Sequence, residues 1–166
     1  MIDQLSIRAR FVVGVLTFAR YCDLHHLHDL ELDAFIEHGF ALATATDIPA
    51  WERHEPALVL VGLGYDYPDE FVPQDEDQRV ILTSWLQQVT EIAYADLYGA
   101  TTQASKQHLL AALAIAEEHG VQPPDLTAFL DSRWDQAGGW GEPVSPQVVT
   151  QWRALRFRTP PPPHRG

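Results

Sequence analysis

The chain has 166 residues, of which 46% are hydrophobic and 20% charged, and its formal net charge at pH 7 is −12. This length and composition are typical of one globular domain and exclude a disordered chain. The acidic excess disfavours nucleic acid and anionic membranes as partners, because like charges repel, and it favours a basic protein partner.

Hydrophobic residues recur at helical spacing along most of the chain and predict an all-α fold. The first helix is expected over about residues 4–22, and the second is expected to start after Asp29, a good N-cap. A third helix is expected to begin at Asp47, because Pro49 suits its first turn. Residues 58–63 are compatible with either the end of this helix or a short strand.

Further helices are predicted after residues 62–74, which glycines and prolines interrupt. Their expected ranges are about 75–98, 101–119, 125–134 and 145–152. The start of the last helix is the most clearly indicated, because Ser145 is a good N-cap and Pro146 suits the first turn. Together these elements predict a single domain of about six or seven helices over residues 1–158.

Residues 159–166 include four consecutive prolines and are predicted to form a disordered, proline-rich tail. No apolar stretch approaches the roughly 20 residues that a membrane-spanning helix needs. The N-terminal residues lack the cleavage site of a secretory signal. Cys22 is the only cysteine, so an intrachain disulfide is impossible, and these features together predict a cytoplasmic protein.

Charge is unevenly distributed along the chain. All 23 acidic residues precede residue 150, together with seven of the 11 basic residues, so this part carries a formal charge of −16. The last 16 residues contain the other four basic residues, all arginines, and no acid. The acidity either attracts a basic partner or only keeps the protein soluble, and the composition leaves both interpretations open.

A histidine-rich turn is predicted between the first two helices. His25, His26 and His28 lie in it, near Cys22 and Asp29, and side chains of all these types can ligate zinc. A structural zinc site takes its ligands from two separated segments, and no second matching pair occurs in the sequence. No metal and no other cofactor is therefore predicted, and the turn is interpreted as polar and partly exposed.

Residues 65–77 (YDYPDEFVPQDED), which we call the acidic segment, are the most unusual stretch of the sequence. Their acids lack the spacing and the turn glycine of an EF-hand, so calcium is not indicated. The last three acids suit the start of the next helix, because they complement its dipole. The others stand among aromatic residues and prolines, which is typical of a rigid recognition surface. The predicted partner-binding residues of this segment are Tyr65, Asp66, Tyr67, Asp69, Glu70, Phe71, Asp75, Glu76 and Asp77.

Trp140 is predicted as a further partner-binding residue. It stands between glycines, in the sequence Gly-Gly-Trp-Gly, and an exposed tryptophan is a common interface anchor. A tryptophan in this context also often folds back and fills a gap between helices, and this second interpretation is the favoured one. Trp140 therefore enters the predicted site with the alternative of a packing role.

Known catalytic and nucleotide-binding motifs are missing from the sequence. It contains neither a G-x-S-x-G nucleophile motif nor a phosphate-binding loop with Gly-Lys-Ser/Thr. A thiol nucleophile at Cys22 with His25 as base would need a third group to orient the base. A small apolar residue in the first helix explains Cys22 more simply, so no catalytic residue is predicted.

A compact, acidic, helical chain without catalytic motifs resembles the small immunity proteins that neutralise polymorphic or contact-delivered bacterial toxins. The likeness rests on size, acidity, the acidic segment and residues 139–146 (GWGEPVSP). It implies a non-enzymatic protein that binds a cognate toxin, often a basic nuclease, and covers or locks its active site. Acidic side chains would then stand where substrate phosphates lie and would steer association.

Two other classes of function stay open. A cytosolic adaptor or chaperone for a secreted effector is also acidic and helical, and it would bind an exposed apolar segment of its client. An enzyme with a site assembled from scattered residues is the second alternative, and His25, His26 and the acidic segment are its first candidates.

Overall fold

The computed structural model describes residues 1–53 and 76–158. Six α-helices form the framework of this part of the chain, which contains no β-strand, and the predicted all-α class is confirmed for it. Residues 54–75, which include most of the acidic segment, and the predicted tail, residues 159–166, lie outside it. The helices are α1 Ile7–Leu24, α2 Leu30–Thr44, α3 Ile48–Arg53, α4 Glu76–Tyr94, α5 Ala104–Glu118 and α6 Pro146–Ala154.

Helix α1 is the centre of the fold. Fifteen of its 18 residues are buried, and it contacts α2, α4 and α5. A helix enclosed in this way carries apolar residues on most of its circumference, whereas a surface helix carries one apolar stripe. Phe18 shows the packing, because its ring meets Phe35 of α2 and Trp85 of α4 edge-to-face. Among the described helices, none combines the length and the apolar character that crossing a membrane requires.

Side-chain caps start α2 and α6 where the sequence predicts them. Asp29 accepts a hydrogen bond from the backbone N–H of Glu31 at 2.8 Å. Ser145 accepts one from the N–H of Val148 at 3.3 Å, and Pro146 is the first residue of α6. Both starts are confirmed, because a cap depends on residues that are close together in the sequence.

The helix predicted over residues 125–134 is wrong in extent. Only Leu126–Phe129 is helical, and it forms a short 3-10 turn. Beyond this turn the chain runs beside the segment that precedes α1, where Trp134 N donates a hydrogen bond to Gln4 O at 2.8 Å. A backbone group that bonds a distant segment cannot also continue a helix, so the tertiary contact overrides the helical pattern.

The same contact sets the start of α1, which begins at Ile7 and not at the predicted residue 4. Ser6 is the N-cap, and its hydroxyl accepts a hydrogen bond from Ala9 N at 3.1 Å. Ser6 N donates to Ser132 O at 3.1 Å, and the hydroxyl oxygens of the two serines are 2.7 Å apart. The segment before α1 is therefore held by the chain near Ser132.

The connection between α4 and α5 is longer than the sequence predicts, because α4 ends at Tyr94 and not at residue 98. Asp96 is buried in this connection and accepts hydrogen bonds from Thr102 N at 3.0 Å and Thr102 Oγ1 at 2.7 Å. Thr102 Oγ1 in turn accepts one from Ala104 N at 3.0 Å. Thr102 thus helps to start α5, although it stands one residue before the N-cap.

Residues 138–141, which we call the glycine turn, pack against the start of α1. Arg8 Nε donates a hydrogen bond to Gly141 O at 3.0 Å. Gly141 has a φ of 80°, in the left-handed region that favours glycine. A Cβ atom at Gly141 would lie 2.5 Å from both Ser6 Cβ and Ser132 Oγ. Backbone conformation and space therefore both require glycine at this position.

Arg10 is a fully buried cation on α1. Its guanidinium donates hydrogen bonds to Ser105 Oγ at 2.8 Å and to Ile2 O at 3.3 Å, and it lies over the Trp134 ring, 4.3 Å from the centroid. Burial lowers the pKa of Arg10 to about 10, although nearby carboxylates such as Asp96 oppose this shift. The side chain therefore stays charged at neutral pH inside the core.

Candidate functional site

The acidic segment is described in the structure only at its C-terminal end. Glu76 and Asp77 are exposed and occupy the first turn of α4, where their charges complement the helix dipole. The interpretation of these two acids as helix-start residues is thus supported. The other predicted partner-binding residues of the segment lie outside the described residues: Tyr65, Asp66, Tyr67, Asp69, Glu70, Phe71 and Asp75.

Trp140 is half-buried and packs against the hydrophobic core, which fits the packing role that the sequence favours. Its ring also lines a groove of about 570 Å³ between the glycine turn and the start of α3, which we call the Trp140 groove. Asp47 and Glu142 are exposed acids at this groove. Contact with a partner through Trp140 stays a prediction. The lining residues are Arg8, Thr46, Asp47, Ile48, Pro49, Ala137, Trp140, Gly141, Glu142 and Pro143.

A second groove, of about 500 Å³, lies between α2, α3 and α6, and we call it the Trp51 groove. No sequence pattern indicates it, because its walls come from segments more than 100 residues apart. Helix α3 contributes to both grooves, so the two occur on neighbouring parts of the surface. The lining residues are Ala34, Glu37, His38, Phe40, Ala41, Thr44, Trp51, Val149 and Arg153.

His38 fixes the aromatic wall of the Trp51 groove. Its ring stacks on Trp51 with the centroids 4.2 Å apart, and Trp51 Nε1 donates a hydrogen bond to His38 O at 3.0 Å. His38 Nε2 lies 3.2 Å from the hydroxyl oxygen of Tyr94. Burial lowers the pKa of His38 to about 4, so the ring is neutral at pH 7. This arrangement makes His38 a structural residue of the groove wall.

Stability should fall toward acid pH because of His38. The unfolded chain protonates this histidine near its ordinary pKa of 6.5, whereas the folded protein does not until about pH 4. Between these values the free energy of unfolding should decrease with falling pH by up to about 1.4 kcal/mol per pH unit from this group. Urea denaturation at several pH values between 7 and 4 should show a shallower decrease for His38→Gln than for the wild type.

The matched control is His28→Gln, at an exposed histidine outside the core. The free energy of unfolding of this variant should fall with pH as steeply as that of the wild type, because His38 is unchanged. Identical pH profiles for His38→Gln and His28→Gln would contradict the assignment of this acid sensitivity to His38.

The predicted histidine-rich turn does not gather into a site. His25, His26 and His28 are all exposed, and the His25 ring lies against Tyr21 with the centroids 4.3 Å apart. Across residues 1–53 and 76–158, no three His, Cys, Asp or Glu side chains come together in a way that would hold a metal ion. Cys22 is buried, and burial raises the pKa of its thiol to about 12, which disfavours a thiolate nucleophile.

Most basic side chains of the described residues form hydrogen bonds or ion pairs within the molecule. Arg153 forms a two-point hydrogen-bonded ion pair with Glu37, and Arg156 forms one with Asp23 at 2.7 and 2.8 Å. Arg20 donates to three backbone carbonyl groups. Arg153 and Arg156, two of the four arginines in the basic C-terminal stretch, therefore attach α6 and the residues after it to α2 and α1.

Exposed acids remain at the surface without ion pairs in the described part of the chain. Arg8 and Arg10 are buried and add little positive charge to the surface, whereas each ion pair removes one acid and one base and leaves the net charge of the surface unchanged. Arg53, Arg133 and Arg158 are the exposed bases among the described residues. The unpaired exposed acids are Asp33, Asp47, Glu76, Glu117, Glu118, Asp125, Asp131 and Glu142.

The candidate site is thus an acidic surface with two grooves beside α3, one carrying Trp51 and one carrying Trp140. Sequence reasoning anticipated the acidity and Trp140 but missed the Trp51 groove. Comparison with known proteins adds no relative, since no family model, no curated protein and no solved structure matches this chain.

Proposed function

We propose that this chain is a non-enzymatic, cytoplasmic binding protein that acts as an immunity protein, and that it inhibits a basic, nuclease-like bacterial toxin by binding to it. The observation that carries the proposal is the distribution of charge in the described part of the chain: Arg8 and Arg10 are buried, Arg153 and Arg156 are held in ion pairs, and eight exposed acids have no ion pair. A surface built in this way attracts a basic protein over several ångströms and repels nucleic acid. Binding would place carboxylates against the cationic surface that the toxin uses for phosphates.

The burial of Cys22 supports a binding role over covalent catalysis by a thiol. The Cys22 thiol is buried, and its raised pKa keeps it protonated, so Cys22 is a poor nucleophile. The ring of the nearby His25 packs against Tyr21 at an interplanar angle of 41°. Packing therefore explains Cys22 and His25, the thiol and the base of the nucleophilic pair considered from the sequence, better than catalysis does.

The acidic segment should accelerate binding to the toxin. Asp66→Asn, Asp69→Asn and Glu70→Gln together remove three charges and change shape little. With the cognate toxin, the association rate constant at low salt should fall about three- to tenfold, because exposed charges act mainly on the rate of encounter. The dissociation rate should change less, and added salt should reduce the difference between variant and wild type, since it screens these charges. Stopped-flow binding at two ionic strengths measures both rate constants and their dependence on salt.

A matched triple variant separates the segment from the overall charge. Glu117→Gln, Glu118→Gln and Asp131→Asn remove the same number of charges from exposed carboxylates near the end of α5 and after the 3-10 turn that follows it. The control variant should associate at close to the wild-type rate. Equal slowing by both triple variants would assign the effect to net charge alone, and unchanged rates in both would contradict electrostatic steering.

The Trp51 groove favours one second candidate, an adaptor that holds an apolar segment of a secreted effector. Its walls are mostly apolar, and they include Phe40, Trp51 and Val149. An adaptor would bind the unfolded or isolated segment of its client, whereas an immunity protein binds the folded toxin. Binding measurements with folded and denatured forms of the same partner distinguish the two functions.

A further inference from the structure

A third groove, of about 320 Å³, lies where the C-terminal part of α1 meets the residues that follow α5 and α6, and we call it the basic groove. Three arginines line it, and no acid does so among the described residues. Three of the 11 basic residues of the chain thus share one small surface, although the chain as a whole carries a formal charge of −12. The lining residues are Arg20, Leu24, Gly120, Val121, Gln122, Arg156, Phe157 and Arg158.

The charge of Arg20 has no acidic partner in the described part of the chain. Its guanidinium donates hydrogen bonds to uncharged acceptors, the backbone carbonyl oxygens of Gln122, Leu155 and Arg158, at 2.7, 2.5 and 2.9 Å. Burial lowers the pKa of Arg20, and no described carboxylate opposes this shift. Taking a cation out of water without a counter-ion costs free energy, and an anion that enters the groove reduces this cost.

The other two arginines differ in how far their charge is compensated. Arg156 forms a two-point ion pair with Asp23, which neutralises it. Arg158 is exposed, and no described acid lies within ion-pair distance of it. The positive charges of Arg20 and Arg158 therefore remain in the groove after this ion pair is counted. Because the Debye length at physiological ionic strength is about 8 Å, an occupant senses these charges more strongly than distant acids.

Exposed apolar side chains border these charges. Phe157 is 79% exposed and Leu24 is 58% exposed, so both are accessible to another molecule. A simple anion such as phosphate gains nothing from apolar contacts, whereas a ligand with both carboxylates and apolar side chains uses both features of the groove. An acidic peptide that contains leucine or phenylalanine has this chemistry.

We infer that the basic groove binds an acidic peptide segment that carries apolar side chains next to its carboxylates. The carboxylates contact the guanidinium of Arg158 and supply a counter-charge for Arg20. The apolar side chains cover Leu24 and Phe157. Clusters of arginines recognise acidic motifs through charge-assisted hydrogen bonds of this kind. The groove is separate from the exposed acids on which the proposed function depends, so the inference goes beyond that function and does not rest on it.

Three short synthetic peptides with blocked ends test this chemistry. One combines leucine with glutamate, the second has glutamine in place of each glutamate, and the third has alanine in place of each leucine. Fluorescence anisotropy with the full chain should show binding of the leucine–glutamate peptide and at least tenfold weaker binding of the other two. The net charge of −12 alone favours the glutamine peptide, so the expected order reports the charge of the groove. Equal or tighter binding of the glutamine peptide would overturn the inference.

Inorganic phosphate distinguishes a peptide site from a site for any small anion. A tenfold molar excess of phosphate over the protein, at constant ionic strength, should leave the leucine–glutamate peptide bound, because phosphate makes no apolar contact. Displacement of the peptide by this excess would show a simple anion site and would contradict the peptide assignment.

Two matched pairs of substitutions locate the bound peptide. Arg158→Gln removes an exposed charge of the groove, and Arg53→Gln removes the same charge at the end of α3. Leu24→Ala shortens an exposed leucine of the groove, and Leu110→Ala shortens one on α5 that does not line it. All four positions are exposed, so the variants should fold, which circular dichroism checks.

The leucine–glutamate peptide should bind Arg158→Gln at least fivefold and Leu24→Ala at least threefold more weakly than the wild type. Its affinity for Arg53→Gln and Leu110→Ala should stay within about twofold of the wild-type value, since these side chains lie outside the lining of the groove. Equal affinities within both pairs would show that the peptide binds elsewhere and would overturn the assignment of the basic groove.

Discussion

Replacing Gly141 with alanine is expected to lower the free energy of unfolding by about 3 kcal/mol or more. The positive φ of 80° strains any residue with a Cβ atom by about 1–2 kcal/mol. The new Cβ would also lie 2.5 Å from Ser6 and Ser132, and overpacking of this kind costs about 1–3 kcal/mol. Urea denaturation followed by circular dichroism measures the loss.

Gly120→Ala is the matched control for this variant. Gly120 has a φ of 71°, close to that of Gly141, but nothing lies within 4 Å of a Cβ atom built on it. This substitution should therefore show the backbone strain alone, about 1 kcal/mol. An equal loss of stability in Gly120→Ala and Gly141→Ala would mean that the contact of the glycine turn with Ser6 and Ser132 contributes nothing.

Replacing Arg10 with alanine is expected to lower the free energy of unfolding by about 3–5 kcal/mol. The change removes the hydrogen bonds to Ser105 and Ile2 and the stacking on Trp134, and it leaves a cavity. It also removes a positive charge that acts on Asp96, a buried carboxylate. The midpoint of thermal or urea unfolding should report the loss directly.

Arg133→Ala provides the comparison with an exposed arginine. Arg133 forms an ion pair with Asp135 at 3.4 Å, and both side chains are more than half exposed. Solvent-exposed ion pairs contribute at most about 1 kcal/mol, so this variant should unfold close to the wild type. A loss for Arg10→Ala as small as that for Arg133→Ala would show that the core absorbs the missing guanidinium.

Local signals in the sequence predicted the framework of the fold well. The cap at Asp29 and the Ser145–Pro146 start act over three or four residues, so they are visible without tertiary structure. The prediction of a helix over residues 125–134 was wrong for the opposite reason. Ser132 and Trp134 form backbone hydrogen bonds with the segment before α1, and no local pattern reveals a partner more than 120 residues away.

The candidate site was harder to anticipate than the fold. Net charge is additive along the chain, so the sequence indicated an acidic surface. The sequence did not show that Arg153 and Arg156 bind Glu37 and Asp23, because pairing depends on how α6 packs. For the same reason the Trp51 groove, which joins α2 and α3 to α6, was not predicted.

The central position of α1 has a consequence for synthesis of the protein. Its contacts come from α2, α4, α5 and the 3-10 turn at Leu155–Phe157, which are spread over the rest of the sequence. At ribosomal rates of about 5–20 residues per second, α1 emerges on the order of ten seconds before its last neighbours. During that interval the nascent chain exposes a helix most of whose residues are buried in the folded protein. Such a chain should depend on ribosome-associated chaperones until the turn at Leu155–Phe157 has been made.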